Sequence, residues 1–193
     1  MLKFKKLWQG EYIAVVSPTE YPYECVHEPD VIMVFPILAV KSKFVKGLTN
    51  YYLGIRKEHC PPYRMKDEQN NELFYTSITG KMDVEGETPE ETMKRELIEE
   101  AGLKLIDYKV ISELHNMPLC KTTDLRAHIY ILIIDSFEQV KATGDGTLNE
   151  EMSSTIFVNL NKMEDIIKKP NVDFLLYGGY KILTDVIGNY IQL

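Results

Sequence analysis

The segment Glu87-Thr-Pro-Glu-Glu-Thr-Met-Lys-Arg-Glu-Leu-Ile-Glu-Glu-Ala-Gly-Leu103 carries the start and stop signals of one short helix. Thr88 is a good N-cap, Pro89 suits the first helical position, and a glutamate follows at the third, which is the pattern of a capping box. Gly102 is a typical helix stop. The segment therefore predicts a helix that begins after Thr88 and ends before Gly102.

Three carboxylates crowd one face of this helix. At roughly 100° per residue, Glu96, Glu99 and Glu100 fall within an arc of about 100°. They repel one another unless a cation lies between them, and hard oxygen ligands suit Mg²⁺ or Mn²⁺. Met93 and Leu97 form an apolar stripe beside them that can anchor the helix in a core. The alternative is a solvated acidic helix with ordinary i,i+4 ion pairs.

The spacing of these residues resembles the motif of the Nudix hydrolases, G-x5-E-x7-R-E-U-x-E-E-x-G-U, in which U is aliphatic. Every position from the first glutamate onward is filled, in order by Glu87, Arg95, Glu96, Leu97, Glu99, Glu100, Gly102 and Leu103. Eight specified positions at fixed spacing favour this motif over a solvated acidic helix.

The glycine that opens the motif is displaced by one residue. Six residues separate Gly80 from Glu87, where the motif has five. Either the loop holds one inserted residue, or Lys81 stands at the glycine position. We favour the insertion, because Thr79-Gly-Lys-Met-Asp83 resembles the A-G-K-I-D of ADP-ribose pyrophosphatases and a surface loop absorbs one residue easily. The resemblance then places a metal-ligating backbone carbonyl at Thr79.

The resemblance implies hydrolysis of a pyrophosphate bond with Mg²⁺, or Mn²⁺ as the alternative cofactor. Glu96 and Glu100, one turn apart, are the predicted principal metal ligands. Glu99 is a third ligand or the general base. Glu87 is expected to receive Arg95 in an orienting pair that supports the site more than it touches substrate.

Two further features carry predicted site residues. The loop around Glu150 and Glu151 is rich in glycine and polar residues, so it can close over a cleft and supply a catalytic glutamate, as similar loops do in ADP-ribose pyrophosphatases. A solvated hairpin loop is the alternative interpretation. Arg56 ends a predicted strand at the position where that subfamily places a phosphate-contacting arginine.

Composition narrows the class of protein. The 193 residues include 22 basic and 29 acidic side chains, for a net charge of −7, which argues against a nucleic-acid partner or an anionic membrane surface. Three cysteines without metal-site spacing indicate a reducing compartment. The basic N-terminus lacks the apolar run of a signal peptide, and no apolar stretch is long enough to span a bilayer. We therefore expect a cytoplasmic enzyme without a membrane partner.

The order of the remaining patterns predicts the fold. Apolar runs at Val31 to Val40, Tyr51 to Arg56 and Leu125 to Ile134 read as buried strands, and helical patterns follow at Asn161 to Lys169 and Asp173 to Tyr190. The polar stretch from Lys57 to Glu72 reads as a loop. This is an α/β arrangement, and the resemblance makes it a Nudix fold with a mixed β-sheet sandwiched between α-helices.

The chain before this core predicts a small antiparallel β extension, because Tyr12 to Val16 and Tyr23 to Val26 read as a β-hairpin or pair of strands. We expect residues 1–29 to form this extension and residues 30–193 to form the Nudix hydrolase domain, as a single structural unit. In the ADP-ribose pyrophosphatases, which add a similar sheet, it helps to form a dimer and the base pocket. The resemblance therefore predicts a homodimer.

The predicted substrate is a nucleoside diphosphate linked to another group. ADP-ribose or an ADP-sugar, giving AMP and a sugar phosphate, is the first expectation. The enzymatic alternatives are hydrolysis of a (d)NTP, a dinucleoside polyphosphate or an RNA cap. A non-enzymatic alternative is a Nudix-fold protein that senses a nucleotide without cleaving it. The inserted residue before Glu87 favours this alternative, and the intact glutamates argue against it.

Overall fold

The computed structural model describes residues 4–10, 13–18, 24–46, 48–59, 73–143 and 153–190. The strands are β1 Phe4–Gln9, β2 Ala14–Pro18, β3 Cys25–His27, β4 Val31–Lys41, β5 Thr49–Glu58, β6 Phe74–Thr76, β7 Ile78–Lys81, β8 Leu103–Pro118, β9 Arg126–Gln139 and β10 Ser154–Asn159. The helices are α1 Pro89–Ala101, α2 Met163–Ile167 and α3 Phe174–Ile187, with a 3₁₀ turn at Leu160–Lys162. Within these ranges, none of the helices has the length and apolar character to cross a membrane.

The main sheet is mixed, as the sequence predicts. Its strand order is β10-β5-β4-β9-β8, with β6 paired to β5 and β7 paired to β4. Strands β4 and β9 run parallel to each other, and the other pairs are antiparallel. Both parallel strands carry near-continuous apolar runs, because they lie between neighbours and are covered on both faces.

Helices cover both faces of this sheet. On one face, Met93 and Leu97 of α1 pack with Ile32 and Val34 of β4 and with further apolar residues of β9. On the other face, the alternate residues of β4 and β9 pack against α2 and α3. The predicted helix–sheet–helix sandwich is therefore confirmed.

Helix α1 has the predicted caps. The Thr88 side chain accepts a hydrogen bond from the Glu91 N–H, and the Glu91 carboxylate accepts one from the Thr88 N–H at 2.8 Å. Gly102 adopts the left-handed conformation, with φ 65°, and donates to the Ile98 carbonyl at 3.0 Å. Its missing side chain also leaves room for the Val140 carbonyl, which would lie 2.4 Å from a Cβ atom.

The predicted N-terminal antiparallel sheet has three strands, in the order β1-β2-β3. The sequence indicated only two, since β1 is mostly exposed and its lysines hide a strand pattern. The sheet meets the main body through the Val26 N–H, which donates to the Thr122 carbonyl at 2.8 Å, and through His27 Nδ1, which lies 2.6 Å from Asp124 Oδ2.

Two other element predictions need correction. The helix predicted over Asn161 to Lys169 is only α2 preceded by the 3₁₀ turn, and β5 continues to Glu58 into the predicted loop from Lys57 to Glu72. Pairing with β10 and β6 on either side extends β5 beyond what its own polar end suggests. The remainder of that loop before Leu73, apart from His59, lies outside the described residues.

Candidate active site

One cavity of about 410 Å³ gathers most of the predicted site residues. It is enclosed by the last two turns of α1, by β7, by the end of β5 and by the start of β4. Its lining consists of Val31, Arg56, Glu58, Thr79, Gly80, Lys81, Asp83, Arg95, Glu96, Glu99 and Glu100. Glu150 and Glu151, the predicted alternative bases, lie outside the described residues.

Arg95 fastens α1 to the loop that precedes it. Its Nε donates to both carboxylate oxygens of Glu87 at 3.2 Å, and its Nη2 donates to Glu87 at 3.1 Å. Nη2 also donates to the Lys81 carbonyl at 3.1 Å. The hydrogen bonds from Arg95, more than any other contact, lower the pKa of Glu87 and keep it ionised. The structure thus forms the Glu87–Arg95 pair that the sequence predicts.

The same guanidinium bridges two of the predicted metal ligands. Arg95 Nη1 donates to Glu96 Oε1 at 2.6 Å and to Glu99 Oε2 at 2.8 Å. The second contact is the i,i+4 pair that a solvated acidic helix would also form. Because Arg95 lies between these two carboxylates, it separates oxygens that a cation would have to approach together.

Glu96 is the most enclosed carboxylate of the cavity, with 6% of the residue exposed. Burial raises its pKa to about 7, although the charge of Arg95 opposes the shift. A Cβ atom at residue 80 would lie only 1.7 Å from Glu96 Cδ, so this close approach requires Gly80. That contact supports Gly80 as the first glycine of the motif and an extra residue in the loop before Glu87.

Arg56 is bound to the end of α1. It donates from Nη1 to the Glu100 carbonyl at 2.9 Å and forms an ion pair with the Glu100 carboxylate. Its Nη2 donates to Ser153 Oγ at 2.5 Å, and Thr155 Oγ1 donates to the same Glu100 carbonyl at 2.8 Å. The structure places this buried guanidinium in the cavity wall, where it holds Glu100. The predicted contact of Arg56 with a substrate phosphate stays a prediction.

Glu58 also lines the cavity, although the sequence did not identify it as a site residue. Its carboxylate lies 3.8 Å from Arg56 Nε and lines the same cavity. The strand pattern could have identified it, because residues two apart on a strand share a face. Since β5 extends to Glu58, this residue lies on the same face as Arg56. The supports Ser153 and Thr155 gave no comparable signal, since they come from a strand that is distant in the sequence.

The chemistry of the lining fits a divalent cation. Five carboxylates, Glu58, Asp83, Glu96, Glu99 and Glu100, face three cations, Arg56, Lys81 and Arg95, so negative charge is in excess. A buried carboxylate with a raised pKa is stabilised by an added cation. Among the described residues, no three His, Cys, Asp or Glu side chains already converge as a metal site. The arginine contacts explain this, because they hold Glu96, Glu99 and Glu100 in other directions.

Comparisons with known proteins agree with the fold and the motif. The family model described as the NUDIX domain matches residues 63–176, more than half of the chain. The crystal structure of an ADP compounds hydrolase is similar with a TM-score of 0.68 and 14% sequence identity, and the match covers 100% of this chain and 95% of that chain. A comparison with curated proteins found no match. The chain therefore belongs to the Nudix family.

Proposed function

We propose that the protein hydrolyses, with a divalent cation, the pyrophosphate bond of a nucleoside diphosphate linked to another group. ADP-ribose or an ADP-sugar is the proposed substrate, and AMP and a sugar phosphate are the proposed products. The observation that carries this proposal is the cavity beside α1, in which a buried glutamate and four further carboxylates outnumber the cations. A polyanionic substrate needs that charge reversed by metal ions before it can bind.

The proposed cation is Mg²⁺, with Mn²⁺ as the alternative. Glu96, Glu99 and Glu100 would hold it, together with the backbone carbonyl of Thr79, and all four residues line the cavity. When bound, it would neutralise phosphate oxygens and make a water molecule more acidic. Mg²⁺ accepts carboxylate and carbonyl oxygens of this kind.

The protein's own residues supply position and proton transfer. Arg95 holds α1 against its loop through Glu87, and this pair keeps the glutamates at a fixed place relative to Gly80. Arg56 orients Glu100. Glu99 is one-third exposed at the cavity, so an attacking water can reach it, and it would accept the proton if it is not a ligand of the cation. Glu150 and Glu151 remain the alternative bases.

One observation favours a second candidate function. Arg95 already pairs with both Glu96 and Glu99, so these carboxylates have a partner without a cation, as in a protein that binds nucleotides without cleaving them. In the hydrolase, a cation has to draw these carboxylates away from Arg95. Measuring Mn²⁺ binding to the protein without substrate distinguishes the two, because the sensor requires no cation in this cavity.

The substrate is identified by a hydrolysis panel. ADP-ribose, nucleotide sugars, NADH, nucleoside triphosphates and dinucleoside polyphosphates are each incubated with Mg²⁺ or Mn²⁺, and the products are separated by chromatography. We expect cleavage of ADP-ribose or an ADP-sugar to AMP. Exclusive cleavage of triphosphates or dinucleoside polyphosphates would replace the proposed substrate class. If none of these compounds is hydrolysed but nucleotides still bind, the result would support the sensor.

The assembly is also a proposal. We infer a homodimer formed through the β extension of residues 1–29, with the Nudix hydrolase domain at 30–193, in a cytoplasmic enzyme. Trp8 in this extension is 55% exposed, and Leu7 is exposed beside it, as expected for residues that a partner covers. Analytical ultracentrifugation of the full chain and of a Leu7→Lys variant tests this, and a monomeric wild-type protein would contradict it.

A further inference from the structure

A second cavity, of about 400 Å³, opens at the other face of β5. Its lining consists of Lys57, Leu73, Tyr75, Lys169, Pro170 and Asn171. Arg56 and Glu58 line the active-site cavity, whereas Lys57 between them lines this one, since neighbouring residues of a strand point to opposite faces. Among the described residues the two cavities have no lining residue in common, and this cavity has no part in the proposed hydrolysis.

Two lysines place positive charge around one tyrosine in this cavity. Lys57 Nζ lies 5.5 Å from the centre of the Tyr75 ring, and Lys169 Nζ lies 5.0 Å from it. Lys169 Nζ is also 3.4 Å from the Tyr75 hydroxyl. In the part of the chain that the structure describes, neither lysine contacts a carboxylate.

Among the other described lysines near tyrosine rings, Lys94 and Lys181 have an anionic partner, whereas Lys109 beside Tyr190 has none. Lys181 lies 5.7 Å from the centre of the Tyr177 ring and pairs with Glu164 at 3.4 Å. At Tyr75, by contrast, two lysines lie around one ring and neither has such a partner within the described ranges. The pair at Tyr75 therefore concentrates uncompensated positive charge where an anion can reach it.

The floor of the cavity is held in place by hydrogen bonds. The Tyr75 N–H donates to the Asn171 carbonyl at 2.8 Å, and Asn171 Nδ2 donates to the Leu73 carbonyl at 2.6 Å. Tyr75 and Asn171 are both buried. Asn171 Oδ1 has no hydrogen-bond partner among the described residues. A buried acceptor of this kind is satisfied by a donor such as the hydroxyl of a ligand.

We propose that Lys57, Tyr75, Lys169 and Asn171 form a second ligand site, for a phosphorylated sugar, free or as part of a nucleoside monophosphate. The lysines bind the phosphate, and the hydroxyl groups of the sugar meet Asn171. The cavity volume lies in the range of small-molecule sites and well above that of a bare phosphate ion. The products of the proposed hydrolysis belong to this ligand class. The evidence for the site comes from its own lining residues, however, and binding there does not require catalysis.

The test measures binding to the full chain by calorimetry in EDTA. Without divalent cations the acidic cavity repels phosphates, so this binding does not depend on the proposed hydrolysis. The probes are ribose 5-phosphate, AMP, inorganic phosphate and adenosine, each used separately. We expect ribose 5-phosphate and AMP to bind with Kd values of about 10 μM to 1 mM, and inorganic phosphate and adenosine to bind more weakly.

Lysine variants locate the site. Lys57→Met and Lys169→Met remove the charge but keep the apolar stem, and each should weaken binding about tenfold. Lys57→Arg should retain it. Lys181→Met is the matched control, because it removes a lysine from a tyrosine ring elsewhere on the surface, and its affinity should equal that of the wild type.

Three results would overturn the proposal. The first is the absence of binding of either sugar phosphate by the wild-type protein up to about 10 mM. The second is unchanged affinity in the Lys57→Met, Lys169→Met double variant, with its fold confirmed by circular dichroism. The third is inorganic phosphate binding as tightly as ribose 5-phosphate, which would leave no role for the sugar.

Discussion

Replacing Glu96 with glutamine should stabilise the metal-free protein at alkaline pH. Burial raises the pKa of Glu96 from its ordinary 4.5 to about 7, so the folded protein keeps this proton to higher pH than the unfolded chain does. Between pH 4.5 and 7 the folded state binds more protons than the unfolded state, and stability falls as pH rises. Glutamine does not ionise, so the Glu96→Gln variant does not lose folding stability in this way as pH rises.

The size of the effect follows from the same pKa. A rise from 4.5 to about 7 corresponds to an upper limit of about 3 kcal/mol, reached above pH 7. At pH 5 the two proteins should differ little, because Glu96 is then protonated in the folded state. Added Mg²⁺ at pH 8 should stabilise the wild-type protein more than the variant, since the cation favours the ionised carboxylate.

The assay is urea denaturation in EDTA at several values between pH 5 and pH 8. The control is Glu90→Gln, which changes an exposed glutamate of the same helix that does not contact Glu96. We expect the control to keep the pH dependence of the wild type and Glu96→Gln to lose most of it. If the unfolding free energies of the wild type and of Glu96→Gln depend equally on pH, the raised pKa of Glu96 is contradicted.

Three further substitutions test the framework. Gly80→Ala should abolish activity and destabilise the protein, because a Cβ atom there overlaps Glu96. Gly188→Ala is the control, because space is open at that position. Equal melting temperatures for the two variants would contradict the close approach of residue 80 to Glu96. Thr88→Ala removes the capping box of α1 and should cost about 1 kcal/mol in urea denaturation, so an unchanged midpoint would contradict that role. Asp173→Ala removes the N-cap of α3 and the partner of a buried threonine hydroxyl, so its cost should exceed that of Thr88→Ala in the same assay.

Local signals predicted α1 and the main strands. The caps of α1 depend on residues three to five positions apart, so Thr88, Glu91 and Gly102 identify both ends without knowledge of the fold. The parallel strands β4 and β9 were equally visible, because burial on both faces leaves a nearly continuous apolar run.

Contacts between distant segments were not visible in the same way. The ion pair of Arg56 with Glu100 joins residues 44 positions apart, and no local pattern in the sequence identifies this contact. The cavity at Lys57 and Lys169 arises likewise from β5 and the segment before α3. Strand β1 was missed for another reason, since exposed strands carry little hydrophobic pattern.

Metal-dependent hydrolysis is tested by measuring the rate of AMP formation from ADP-ribose as Mg²⁺ is titrated. It is measured for the wild-type protein, for Glu100→Gln and for Glu90→Gln, which changes an exposed glutamate on the same helix. We predict no reaction in EDTA, Mg²⁺-dependent release of AMP by the wild type and Glu90→Gln, and a loss of at least about a hundredfold in Glu100→Gln at saturating Mg²⁺, with a melting temperature showing that it remains folded. Equal rates for folded Glu100→Gln and the wild type, or full activity in EDTA, would contradict the metal-binding role of this carboxylate face.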